Sequence, residues 1–195
     1  MMIFEPGHND NIINYHFVDG LFSDVELDTL KAQLRDLSLE EGQIGEGEVD
    51  PYTRRSKVSF LPPADLGADV CKKMLDAIKD MNKDVFNFDL TGLLESLQYT
   101  TYDEEYRGMY NWHFDEGSGE DKTWTRKLSV ILILSDPIEY GGGDLEMVTE
   151  KGIDAVEQKR GRLVIFPSFL RHRVRPITKG SRESLVFWVS GPAFR

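Results

Sequence analysis

The stretch YNWHFDEG, residues 110–117, places an imidazole and a carboxylate two positions apart. In an extended segment alternate side chains share a face, so His113 and Asp115 point one way and Phe114 the other. That pair can chelate a cation, but a lone H-x-D triplet is common and needs a third ligand. The chain has four histidines, His8, His16, His113 and His172. His8 lies near the N-terminus and His16 in the first strand-like segment, ahead of the β-rich region. His172, in a strand-like segment near the far end of that region, is the candidate. Two imidazoles and one carboxylate, with other positions open, form the facial triad that suits non-haem Fe(II) binding small ligands and O₂. Zinc accepts the same donors for a hydrolase or isomerase, so ligand identity alone leaves both metals open.

The stretch HRVRPITKGSRESLVFW (172–188) adds a second chemical group. Arg171, Arg173 and Arg175 stand at odd offsets from His172 and belong on the opposite face. A hairpin turning at Lys179 would set Arg182 opposite Pro176 and Val186 opposite His172, so that Arg182 and His172 share a face. A guanidinium there can grip a carboxylate bidentately. A metal at one end and a carboxylate clamp some ångströms away would suit a dicarboxylate co-substrate.

These residues need a frame. FSDVELDTLKAQLRDL opens with Ser23 and Glu26 in capping-box spacing, and Val25, Leu27, Leu30, Leu34 and Leu37 supply a mostly helical stripe. Residues 40–51, EEGQIGEGEVDP, carry glycines and acids without period and read as a mobile loop. RRSKVSFLP reads as one strand ended by Pro62 and Pro63, and a second helix follows from Asp65 with Val70, Met74, Ala77, Ile78 and Met81 at helical spacing. After residue 90 come GLLESLQYTTY, GMYNWHF, RKLSVILIL, GDLEMV, GRLVIFP, RHRVRPI and ESLVFWVS. Many short strands, with no helix long enough to cross between parallel partners, indicate an antiparallel jelly roll. The expected class is α+β, a β core over 91–195 buttressed by helices within 1–90, in a single domain.

The formal charge of −11 disfavours a nucleic-acid partner, which needs a basic surface. The basic clusters KRGR (159–162) and RHRVR (171–175) read as solvated strand faces. No apolar run is long enough for a membrane span, and MMIFEPGHND lacks the basic flank and apolar core of a secretory signal. The single cysteine, Cys71, excludes an internal disulfide framework and suits a reducing cytoplasm.

Taken together, Tyr102 through WHFD, GGGDLEM, FPSFLRHRV and an arginine ten residues after the last histidine resemble the Fe(II)- and 2-oxoglutarate-dependent dioxygenases, nearest their prolyl 4-hydroxylase-like branch. The resemblance covers roughly residues 95–191, with a weaker echo in RRSKVSFL. It implies a double-stranded β-helix and Fe(II) held by His113, Asp115 and His172, with 2-oxoglutarate and O₂ as co-substrates and ascorbate as a supporting reductant. It further implies that Arg182 binds the distal carboxylate of 2-oxoglutarate, that Tyr102 contacts the same molecule, and that Ser129 lines its pocket. Arg54 or Arg55 resembles a substrate-side arginine, and Trp112 and Trp124 stand where they can cover the mouth. The implied substrate is a protein or peptide, with peptidyl proline favoured; a free amino acid or another small molecule is the alternative.

Overall fold

The computed structural model describes residues 14–45, 47–119 and 123–194; His8 and the whole N-terminal decapeptide fall outside them. Helix α1 (Asp24–Arg35) begins where both halves of the capping box close: Ser23 Oγ accepts from the Glu26 N–H, and the Glu26 carboxylate accepts from the Ser23 N–H. Leu27, Leu30 and Leu34 are buried along it, while Val25 is 74% exposed and lies off the stripe. The second helix starts later than its apolar spacing suggests. Pro63–Leu66 form a 3₁₀ turn, Gly67 breaks the path with φ +98°, and α2 runs from Ala68 to Met81.

Two antiparallel sheets form the body. The larger has the order β1 (His16–Val18), β11 (Leu163–Pro167), β7 (Trp124–Ile133), β14 (Ser181–Pro192), β5 (Leu97–Asp103), β4 (Lys57–Leu61) and β2 (Glu40–Glu41). The smaller has the order β10 (Gly152–Ala155), β9 (Leu145–Thr149), β12 (His172–Val174), β6 (Met109–His113) and β3 (Arg54–Arg55). A short pair, β8 (Gly141–Gly142) with β13 (Ile177–Lys179), links them at one end. This is the expected α+β jelly-roll class, and residues before 90 supply four of its strands as well as both helices.

Period-two alternation explains why RKLSVILIL is apolar almost throughout. Leu128, Val130 and Leu132 face the helices and join Leu30, Leu34, Met74, Ile78 and Phe187 in one core. Ile131 and Ile133 face the other way and join Tyr102, Leu145, Met147, Phe166 and Val174 in a second core between the sheets. A central strand covered on both faces has no polar side to show.

Three expectations are corrected. RRSKVSFLP is two strands, because β3 pairs with β6 of the smaller sheet and β4 with β5 of the larger, with Ser56 at the crossing. Part of the acidic stretch 40–51 is strand: Glu40 and Glu41 pair with Val58 and Lys57. The proposed hairpin between residues 172 and 186 does not form; β12 pairs with β6 and β9, whereas β14 pairs with β5 and β7.

The basic clusters are spent on internal pairing. Arg162 binds Asp19 through two nitrogens and also reaches Glu157, and Arg173 and Arg175 bind Glu146. Among the described residues no helix is long and apolar enough to cross a membrane.

Candidate metal centre

His113 ends β6 and His172 begins β12, and the two are direct cross-strand partners. Their rings stand 4.2 Å apart between centroids. The chain leaves β6 at Phe114, and the Asp115 N–H donates to Ser168 O at 2.9 Å, which turns the carboxylate back between the imidazoles. Asp115 Oδ1 lies 3.5 Å from His113 Nε2, and Oδ2 lies 3.5 Å from His172 Nε2. Among the described residues these three form the one cluster whose donor atoms converge, all within 4.8 Å of one another.

Their hydrogen bonds fit them for a cation. His113 Nδ1 is 2.7 Å from Asn111 O and His172 Nδ1 is 2.9 Å from Leu170 O, so each Nδ1 carries the proton and each Nε2 offers its lone pair inward. Burial lowers the His172 pKa to about 4, which keeps the ring neutral near pH 7. Burial opposes ionisation of Asp115, but its close contacts with His172 and His113, a hydrogen bond with His113 among them, outweigh it and hold the carboxyl below its ordinary range. A neutral His172 imidazole and a carboxylate anion at Asp115 are protonation states a divalent metal requires.

Ser129 projects from β7 onto this carboxylate. Its Oγ donates to Asp115 Oδ2 at 2.8 Å, and Ser168 Oγ stands 3.1 Å from the same hydroxyl. The side chain expected to line the co-substrate pocket is therefore committed to orienting a candidate ligand. Tyr110 stacks on His113 at 3.5 Å between centroids, and Phe166 meets His172 edge-on at 4.7 Å. Both rings are locked in place.

Arg182 comes from the opposite sheet. It sits on β14 directly across from Tyr102 on β5 and is only 1% exposed, the largest fully buried side chain described. Its Nη1 donates to Ser184 Oγ at 3.3 Å and the guanidinium acts on the nearby Tyr140 hydroxyl, while Nε and Nη2 have no hydrogen-bond partner among the described residues. Tyr102 lies with its ring 5.8 Å from the guanidinium, its hydroxyl pKa raised by burial. Gly143 makes room for this arginine: at φ +69° a Cβ would stand 2.5 Å from Ile177 Cδ1 and 3.1 Å from Arg182 Cδ. A buried guanidinium with two orphaned donors and no ion pair among the described residues has the chemistry to receive an anion. The donor set therefore fits both groups of an iron and dicarboxylate site.

A cavity of about 550 Å³ is lined by His113, Asp115, His172, Tyr102, Ile131 and Val186, among others; Tyr102 is the part of the arginine cluster that reaches it, and Arg182 itself is not in the lining. Arg54 lines it and Arg55 does not. Arg54 is 7% exposed, bonds Ser56 Oγ and Gln43 O, lies 4.7 Å over the Tyr110 ring and leaves Nη2 unpartnered. Arg55 turns outward onto the carbonyls of Pro51 and Arg107. Neither expected tryptophan lines the cavity. Trp112 lies beneath the Arg173 guanidinium at 4.5 Å, and Trp124 packs against Gly119. The tryptophan that does is Trp188, two β14 residues beyond Val186, with Arg126 3.7 Å above its ring and Glu95 paired to Arg126. The i, i+2 spacing from Arg182 through Ser184 and Val186 to Trp188 was the signal that could have found it.

The profile of the 2OG-Fe(II) oxygenase superfamily matches residues 97–190. A PKHD-type hydroxylase of Acidovorax ebreus is 28% identical over 181 residues, covering 88% of this chain and 76% of its own. One from Teredinibacter turnerae is 28% identical over 177 residues with the same coverage. Among solved structures, a Pseudomonas putida prolyl-4-hydroxylase superposes with TM-score 0.70 at 21% identity, covering 92% of this chain and 93% of that one. A Trichoplax adhaerens prolyl hydroxylase, solved with a hypoxia inducible factor peptide fragment, gives TM-score 0.75 at 16% identity, covering 92% and 84%. Two structural neighbours were solved with 2-oxoglutarate, one of them also with nickel. With a matching fold, a sequence profile matched over residues 97–190 and a convergent His-Asp-His cluster, this chain is similar to the 2OG-Fe(II) oxygenase superfamily.

Proposed function

We propose that His113, Asp115 and His172 hold Fe(II), that Arg182 with Tyr102 anchors the distal carboxylate of 2-oxoglutarate, and that the enzyme hydroxylates a C–H bond of a peptidyl prolyl residue. The observation that carries this reading is the pairing of a metal-type triad on one sheet with a buried arginine on the other, whose guanidinium has two unpartnered nitrogens and stands 5.8 Å from the ring of the cavity-lining Tyr102. A zinc hydrolase built on the same triad would give Arg182 no task.

Bound iron with 2-oxoglutarate and O₂ supplies the oxidation: one oxygen atom enters the substrate C–H, the other enters succinate, and CO₂ leaves. The protein's part is positional. The Asn111 and Leu170 carbonyls keep both imidazoles in the ligating tautomer, and Ser129 fixes the Asp115 carboxylate. Ile131, Leu145, Val174 and Val186 wall the cavity with hydrocarbon and keep bulk water from the reacting carbon. The prolyl assignment is supported by the relatives named as PKHD-type and prolyl hydroxylases and by the peptide in one of them. Its setting is the cytoplasm, in keeping with the lone free thiol of Cys71, and ascorbate serves as an auxiliary reductant.

The test is anaerobic addition of Fe(II) and then 2-oxoglutarate. The wild type should develop a weak visible charge-transfer band that His172→Ala and Arg182→Met both lose. On admitting O₂, succinate should form. A wild type that shows no band and retains zinc through purification would refute the assignment.

A further inference from the structure

The active-site cavity does not end at its own mouth. It shares Glu116, Gly117, Ser118 and Arg126 with a second concavity of about 330 Å³, whose far wall is Phe169 and Phe194. Each concavity alone is as large as a complete small-molecule site, roughly 300–1,000 Å³. A single free amino acid would fill the first and leave the second unused.

The charges along this trench are unequal. Arg126 is neutralised by Glu95. Glu40 and Glu41, at one lip, and Glu116, at the junction, are exposed and form no ion pair with lysine or arginine among the described residues, although Lys57 stands across the strand from Glu41. Beyond Glu116, Phe194 is 60% exposed, sets its ring 6.3 Å from that of the half-buried Phe169, and carries the protein's own Lys127 ammonium 3.2 Å over its ring. With that face taken, the ring edges suit the aliphatic stem of a long side chain whose charge reaches Glu116. Deeper in, Arg54 presents the opposite need: a buried Nη2 without an acceptor, on a guanidinium stacked over the Tyr110 ring that itself covers His113. A backbone carbonyl of a threaded chain would satisfy it.

We propose that the substrate is an extended basic peptide segment, threaded from the metal centre across Glu116 to Phe169 and Phe194, with a main-chain carbonyl on Arg54 and lysine or arginine side chains on the lip carboxylates and Glu116. This rests on the hydroxylase reading above and adds to it the length and charge of what is hydroxylated.

The experiment uses the full chain with Fe(II), 2-oxoglutarate and O₂. The probes are three synthetic peptides of equal length, each with a central proline flanked on both sides by lysine, serine or glutamate, together with free L-proline. Succinate formed without peptide reports the oxygenase, and a single added oxygen on the peptide, read by mass spectrometry, reports the substrate. Exposed pairs are individually weak and three act together, so kcat/KM should favour the lysine peptide over the glutamate peptide by about tenfold. The ratio should shrink as salt rises. Glu40→Lys/Glu41→Lys/Glu116→Lys should invert the order, a ratio taken within one protein and so independent of its overall activity. Phe194→Ala should weaken the lysine peptide more than the serine peptide.

Equal or reversed preference in the wild type overturns the proposal, as does faster hydroxylation of free proline than of any peptide. Succinate without any peptide product also overturns it while leaving the oxygenase reading intact. Loss of both succinate and the charge-transfer band would take down the reading beneath it as well.

Discussion

Replacing Arg182 by methionine should raise the stability of the protein without ligands and remove most of its stabilisation by 2-oxoglutarate. The two effects have opposite signs and one origin. Arg182 is 1% exposed, has one 3.3 Å hydrogen bond to Ser184 and leaves Nε and Nη2 unsatisfied. Each orphaned buried donor costs about 1–3 kcal/mol, and an uncompensated buried charge adds to that. Methionine matches the stem and removes both nitrogens at the loss of about 1 kcal/mol of existing hydrogen bond. A net gain of about 1–3 kcal/mol follows, which for a chain of this size raises Tm by roughly 3–10 °C. With metal present, 2-oxoglutarate at a hundred times its Kd should stabilise the wild type by about 2.7 kcal/mol. The variant should keep less than about 1 kcal/mol of that stabilisation at the same concentration, because losing one partner of a buried charge pair costs about 2–5 kcal/mol of affinity. Anaerobic thermal melts of both proteins, with Fe(II) and with or without 2-oxoglutarate, measure all four quantities. A variant that melts below the wild type without ligand, or keeps the 2-oxoglutarate shift, would refute the reasoning.

Three further perturbations follow from the same geometry. Ser129→Ala frees Asp115 Oδ2 from its 2.8 Å hydrogen bond and should weaken metal binding by about 10–100-fold, with Ser129→Thr restoring most of it; calorimetric titration with Fe(II) under argon decides, and unchanged affinity would rule out the orienting role. Gly143→Ala pushes a methyl toward Ile177 and the Arg182 stem at φ +69°, so KM for 2-oxoglutarate should rise at least tenfold while metal affinity holds. Asp19 is held at a pKa of about 2, chiefly by its hydrogen bond from Arg162. A depressed carboxyl contributes stability that is complete above its unfolded pKa near 4 and is lost as pH falls through 2. Urea midpoints of Asp19→Asn should therefore sit below the wild type at pH 5 and converge with it near pH 2; a gap that persists at pH 2 would contradict the assignment.

Much of this geometry was readable one strand at a time. The capping box at Ser23 and Glu26 is closed within four residues, so local chemistry decides it. The His113 and Asp115 spacing set both donors on one side, and the even offsets along β14 set Arg182, Val186 and Trp188 on one face. Alternation holds inside a strand whatever lies beside it. It also separates Arg54, pointing at Tyr110 and the cavity, from Arg55, turned to outside carbonyls. Choosing between them needed only the partner of β3.

Strand partners are what the sequence withheld. A turn of the type TKG after a short strand is ordinary hairpin chemistry, and the hairpin reading placed His172 beside β14. Instead the chain crosses between sheets: β12 takes His113 and Met147 as neighbours, β13 turns aside to Gly142, and β14 enters the larger sheet between β5 and β7. Both readings bring Arg182 toward the triad, yet they differ in what separates the two. A hairpin would hold clamp and metal ligand on one ribbon at a distance fixed by strand rise. The jelly roll places them on facing sheets, so the spacing is set by the side chains packed between, including Ile131, Leu145 and Val174. Interiors are packed too tightly for such a spacing to shift freely. The length of the dicarboxylate this site accepts is accordingly a property of core packing. A change at Leu145 or Val174, neither of which carries a polar atom in its side chain, should tune co-substrate choice in a way no motif of ligands and clamp would reveal.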